Sequence, residues 1–139
     1  MSARIFVDTN VLAYLFDDSE PKKKATARRR LESAHAEHEL VLSTQVLQEL
    51  YVALTRGAAP IATHEIAERA VREAARWTLV QVDLALVLSA IEARARHHIS
   101  FWDALVVCAA VQAGCSTLLT EDMNDGQVFD GVRVESPFR

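Results

Sequence analysis

The chain predicts an α/β layer fold organised around a mostly parallel sheet, and three observations predict it. Apolar runs of strand length (Ile5-Phe6-Val7, Leu40-Val41-Leu42, Thr117-Leu118-Leu119) alternate with stretches of helix length. Ser, Thr and Asp stand where those helices begin, as capping requires. No repeat, low-complexity tract or linker interrupts the alternation, so residues 1–139 are expected to form one domain, large enough for a single core.

The elements follow in order. Arg4–Asp8 reads as a short buried strand and Asn10–Phe16 as a short helix, ended by Asp17-Asp18-Ser19-Glu20-Pro21 because the residue before a proline disfavours helix. Lys22–Ala36 reads as a polar helix. Leu40–Ser43 is a second strand, with Ser43 or Thr44 capping a helix through Thr55. Ala62–Trp77 is a helix capped by Thr63. Leu79–Val82 is a third strand, and Asp83 caps Leu84–His97. Ser100 caps Phe101–Ala113, and Gly114 sits where a C-terminal glycine belongs. Ser116–Thr120 is a fourth strand and Val132–Val134 a fifth.

Composition narrows the class. Half the residues are hydrophobic and 24% are charged, the balance of a globular protein rather than a disordered one. No apolar run is long enough to cross a bilayer, and Met1-Ser2-Ala3-Arg4 does not read as a signal peptide. Cys108 and Cys115 lack the paired spacing of a zinc site. The expectation is a reduced cytoplasmic protein without disulfides. Net charge is −4, yet Lys22, Lys23, Lys24, Arg28, Arg29 and Arg30 place six of the 15 basic residues in one short block. Such a block serves either as a solvated helix face or as a neutraliser of phosphates. His97 and His98 with Arg94 and Arg96 read as a solvated helix end, where cations are favoured.

Four carboxylates stand in four separate places. Asp8 closes the first strand and, with Thr9 and Asn10, either caps the next helix or offers a cation ligand at a strand tip. Glu49 lies on the rim of the apolar face formed by Val46, Leu47, Leu50, Tyr51 and Leu54. Asp103 opens a helix that is apolar on every side from Ala104 to Val111; Ser100 and Asp103 have the spacing of a capping box, and a carboxylate there also suits the helix dipole. Asp122 follows the fourth strand, with Glu121 and Asp125 close enough to compete, in the order Asp122, Asp125, Glu121. In an open parallel sheet ligands bind beyond the carboxyl ends of the strands, which gives Asp8 and Asp122 a reason to meet. If the fold brings the four acids together, they form a pocket that only a divalent cation would make tolerable. No nucleophile–His–Asp set, phosphate-binding glycine loop or dinucleotide fingerprint is present.

The stretches Ile5-Phe6-Val7-Asp8-Thr9-Asn10, Ser43-Thr44-Gln45-Val46-Leu47-Gln48-Glu49-Leu50, Ser100-Phe101-Trp102-Asp103-Ala104-Leu105 and Leu118-Leu119-Thr120-Glu121-Asp122-Met123 resemble, in this order, the motifs of the PIN domain, most closely those of VapC-type toxin ribonucleases of toxin–antitoxin pairs. The resemblance implies a three-layer α/β/α sandwich with a short, mostly parallel central sheet. It implies an endoribonuclease dependent on Mg²⁺ or Mn²⁺, with Asp8 and Asp103 as principal metal ligands. Glu49 and Asp122 would complete the pocket directly or through water, with Asp125 as the substitute. Thr9, Asn10 and Thr120 would support them. An RNA substrate, a cognate antitoxin and a homodimer are implied in the same way, and Lys22, Lys23, Lys24, Arg28, Arg94 and Arg96 are the candidates for RNA contact. The alternatives are a structure-specific DNA nuclease, a non-catalytic binding module of the same fold, and a phosphoaspartate enzyme using Asp8, which usually has a second Asp where Asn10 stands.

Overall fold

A computed structural model describes residues 3–139; Met1 and Ser2, which carry part of the leader reading, lie outside the described residues. Six strands form one sheet: β1 (Arg4–Val7), β2 (Glu39–Ser43), β3 (Thr78–Val80), β4 (Thr117–Leu119), β5 (Val128–Phe129) and β6 (Val132–Glu135). Six helices connect them: α1 (Thr9–Tyr14), α2 (Pro21–Glu37), α3 (Thr44–Thr55), α4 (His64–Ala74), α5 (Leu84–His97) and α6 (Phe101–Gln112). The strand order is β3-β2-β1-β4-β6-β5, parallel throughout except for the β5–β6 pair.

Parallel strands need both faces covered, and the burial shows it: Ile5, Phe6 and Val7, whose side chains alternate across the sheet, are all buried, as are Leu40, Val41 and Leu42. The chain runs β1, β2, β3 toward one edge and then returns to lay β4 on the opposite side of β1. Strand order therefore reverses between β1 and β4, and a crevice opens beyond their carboxyl ends. The registers Phe6 with Leu118 and Val7 with Leu119 bring those two ends level.

Capping follows the sequence closely. Ser43 caps α3 by accepting from the Val46 amide, while the Thr44 hydroxyl takes the Val82 amide from across the sheet. β3 runs Thr78–Val80 rather than Leu79–Val82, because its partner β2 ends at Ser43, opposite Val80. Asp83 and Ser100 cap α5 and α6. Helix α6 is buried from Ala104 to Val107 and at Ala109 and Ala110, as its uniformly apolar sequence requires. Gly114 ends it at φ +72°, a left-handed conformation that glycine tolerates without cost.

One strand is unexpected. β5 pairs antiparallel with β6 around Asp130-Gly131, both at positive φ (48° and 90°), the two-residue hairpin turn that Asp-Gly favours. Both cysteines are free. No described helix is long and apolar enough to cross a membrane.

Candidate active site

Beyond the ends of β1 and β4 lies an open cleft of about 680 Å³, whose walls include Asp8, Glu49, Asp103 and Asp122. Each acid arrives on a different element. Asp8 is the residue after β1 and the N-cap of α1; Glu49 projects from the middle of α3; Asp103 stands in the first turn of α6; Asp122 follows β4 by three residues. Topology brings them to the walls of one cleft, although 114 positions separate Asp8 from Asp122 in sequence.

Asp8 sits deepest, 6% exposed. Its Oδ1 accepts from the Thr9 amide at 2.8 Å and its Oδ2 from the Thr120 hydroxyl at 2.9 Å. Burial nonetheless pushes its carboxyl up to about 6 from an ordinary 3.8; those two hydrogen bonds oppose the rise, and the negative charges of Glu49 and Asp122 add to it. Asp8 thus both caps α1 and lines the cleft.

The remaining polar groups form a network around it. The Thr9 hydroxyl donates to Glu49 Oε1 at 3.0 Å. Asn10 Nδ2 donates to Asp122 Oδ2 at 2.9 Å and to Thr120 Oγ1 at 3.1 Å, while its Oδ1 accepts from the Glu121 amide at 3.2 Å. Thr120, fully buried, donates to Asp8 and accepts from both Asn10 and the Asp122 amide. Asp103 faces this group from α6. Its amide caps on Ser100, and burial pushes its carboxyl above the ordinary value, with Ser100 opposing and Asp122 adding.

Of the three competing acids, Asp122 and Glu121 both line the cleft but have different partners. Asp122 bonds to Asn10 inside the cleft. Glu121 turns to the Tyr14 hydroxyl and to Lys23, whose Nζ lies 2.9 Å away. Asp125 accepts from the Ser136 amide at 2.8 Å, tying the loop to the C-terminal segment, and does not line the cleft.

None of the candidates for RNA contact, Lys22, Lys23, Lys24, Arg28, Arg94 and Arg96, lines the cleft. Several are held by carboxylates instead. Lys23 pairs with Glu121, Lys24 with Asp18, Arg30 with Glu135 and Arg96 with Asp130. Lys23 alone reaches the rim, through its contacts to Tyr14 and Glu121. The lysine or arginine that does line the cleft is Arg56, at the C-cap of α3, which no motif announces. Gln45, Gln48, Tyr14, Val52 and Ile61 complete walls that sequence alone did not single out.

Among the described residues no three His, Cys, Asp or Glu side chains converge closely enough to hold an ion as they stand. The donor set is all oxygen, around one deeply buried carboxylate. That fits a small hard cation which keeps several waters and takes one or two carboxylates.

The family model of the PIN domain matches residues 5–127. No curated protein matches the sequence. Among solved structures, Mycobacterium tuberculosis VapC20, a sarcin–ricin loop cleaving toxin, is 26% identical, with 82% of this chain and 86% of that one covered at a TM-score of 0.65. A toxin–antitoxin complex from Klebsiella pneumoniae is similar at 19% identity over 96% and 97% of the two chains, TM-score 0.70. VapBC2 from Rickettsia felis bound to a promoter DNA fragment is similar at 16% identity over 96% and 98%, TM-score 0.69. The latter two speak to the fold. By the match over most of its length, the chain belongs to the PIN domain family.

Proposed function

We propose that this protein is a divalent-metal-dependent endoribonuclease and the toxin of a toxin–antitoxin pair. The observation that carries the reading is an acid-lined cleft at the point where strand order reverses, with Asp8, Glu49, Asp103 and Asp122 in its wall beside Asp17 and Glu121. The likeness to VapC20, named a sarcin–ricin loop cleaving toxin, supports RNA as substrate. The likeness to toxin–antitoxin complexes supports an antitoxin partner.

Asp8 and Asp103 are the residues that would hold Mg²⁺ or Mn²⁺, with Glu49 and Asp122 completing the site directly or through water. When bound, the cation supplies Lewis acidity and the positive charge that lets a phosphodiester enter an acidic pocket. The rest belongs to the chain. Thr9 orients Glu49, Asn10 orients Asp122, and Thr120 fixes Asp8 against both. Arg56 on the cleft wall offers a bidentate donor for a substrate phosphate. Leu84, Leu88 and Ile91, exposed at i, i+4 and i+7 along α5, support a homodimer through that helix face. The site of action is the cytoplasm.

Incubation of the antitoxin-free chain with a mixed RNA pool, in Mg²⁺ or in EDTA, tests the reading. Fragmentation in Mg²⁺ that EDTA abolishes is expected. A folded, Mg²⁺-supplied chain that leaves the whole pool intact opposes it.

A further inference from the structure

Trp102 keeps 62% of its surface in solvent, although it stands beside Asp103 in the first turn of α6 and lines the same cleft as Asp8 and Glu49. The chain's other tryptophan, Trp77, is half-buried and stacked on His35. Trp102 is not a loose surface residue. Phe101 packs edge-on against its ring at a centroid distance of 5.2 Å, and Gln45 Nε2 donates to its backbone carbonyl at 3.3 Å, tying α6 to α3.

That second bond has a consequence. With Nε2 committed to the Trp102 carbonyl, Gln45 Oε1 is left as a buried side-chain polar atom with no partner; among the described residues it is the one such atom. Turning the amide over would set oxygen against oxygen. Gln45 is 5% exposed and belongs to the cleft lining, so this bond anchors the start of α6 at the cleft wall. Among the described residues, Arg56 is the one lysine or arginine in the same cleft wall.

We infer that Trp102 is a stacking platform for one unpaired base of the substrate RNA, seating that nucleotide beside Asp103 with Arg56 on a neighbouring phosphate. The inference depends on the ribonuclease reading above and names what that site selects. An indole face accepts any base, so it chooses conformation over sequence. A nucleotide in a loop or single strand can unstack and reach the ring; one in an A-form duplex cannot.

The test uses the full chain carrying Glu49→Gln, which keeps Asp8 and Asp103 for the cation while stopping cleavage, and Trp77→Phe, so that Trp102 is the sole tryptophan. The probe is a mixed-sequence single-stranded oligoribonucleotide in Mg²⁺, beside its duplex form and versions with single abasic positions. Expected are saturable quenching of Trp102 fluorescence by the single strand, and loss of quenching by the duplex and by one abasic position. In labelled-RNA anisotropy, Trp102→Ala should weaken binding about tenfold while Trp102→Phe retains most of it. In the active enzyme, Trp102→Ala should raise KM and leave kcat within about twofold, a split that a folding defect would not give. Anisotropy that rises without quenching, and equally for Trp102→Ala, overturns the platform while leaving RNA binding intact. Fluorescence that instead follows protein concentration assigns Trp102 to contact between copies and overturns it too. Absence of RNA binding by every form defeats the ribonuclease reading itself, and the platform with it.

Discussion

The hydroxyl of Thr120 donates to Asp8 Oδ2 at 2.9 Å, joining the tips of two adjacent parallel strands that are 112 residues apart in sequence. The same oxygen accepts from Asn10 and from the Asp122 amide, so one buried atom holds together the end of β1, the start of α1 and the loop after β4. Thr120→Val keeps the shape and removes all three bonds. Leaving buried partners unsatisfied costs about 1–3 kcal/mol. Thermal melts should show that loss, together with a fall in RNA cleavage of tenfold or more. Thr120→Ser should restore both, and an unaffected Thr120→Val enzyme would contradict the role given to this hydroxyl.

Asp8 makes stability depend on pH in a definite direction. Its folded carboxyl is pushed up to about 6, above its ordinary 3.8, so between those values the folded state binds more protons than the unfolded one. Unfolding free energy therefore falls as pH rises from about 4 to about 6, by at most about 3 kcal/mol. Urea denaturation in EDTA at pH 4.5 and 7 should show wild type losing stability across that window and Asp8→Asn losing much less. At pH 7 the variant should be the more stable by about 1–2 kcal/mol, the gain being trimmed because an amide cannot reproduce both acceptors of the carboxylate. A less stable Asp8→Asn at pH 7 would make Asp8 chiefly a helix cap.

Divalent cation should reverse that pattern. Binding to the folded state alone raises the melting temperature, and a protonated Asp8 is a poor ligand. Mn²⁺ should therefore raise the wild-type melting temperature at pH 7 more than at pH 5, and raise that of Asp8→Asn little at either. Equal shifts in both proteins would place the ion elsewhere.

The acids after β4 should divide by partner. Asp122→Asn, inside the cleft, should cost at least a hundredfold in cleavage. Asp125→Asn should lower stability by about 0.5–1.5 kcal/mol through its weakened bond to the Ser136 amide, and leave cleavage near wild type. Assays of rate and melting temperature on both variants check this, and a dead but stable Asp125→Asn would reassign the fourth position.

Arg56 should contribute one phosphate contact. Arg56→Gln should weaken RNA binding and reduce the slope of log affinity against log salt by about 1. Arg94→Gln, outside the cleft, should leave the slope unchanged.

Much of this was legible in the chain because local chemistry announces it. Strand tips, caps and the all-round apolar α6 follow from patterns within a few residues, and Asp8, Glu49, Asp103 and Asp122 lie inside such patterns. β5 escaped because it is two residues long with only Phe129 buried, although Asp130-Gly131 carries a hairpin signal. The fates of the basic residues were not legible at all. Lys23 meets Glu121 across 98 positions and Arg30 meets Glu135 across 105, pairings that only the folded sheet creates. Arg56 belongs to no pattern; it reaches the cleft because α3 ends there.

The most direct measurement is cleavage of a mixed RNA pool and a matched single-stranded DNA in Mg²⁺, Mn²⁺ or EDTA, with Asp8→Asn and Asp103→Asn beside wild type. Expected is cutting of RNA that depends on metal, is lost in both variants, and leaves 5′-phosphate and 3′-hydroxyl ends. Cutting that survives EDTA or either substitution, or that leaves 2′,3′-cyclic phosphates, would contradict it.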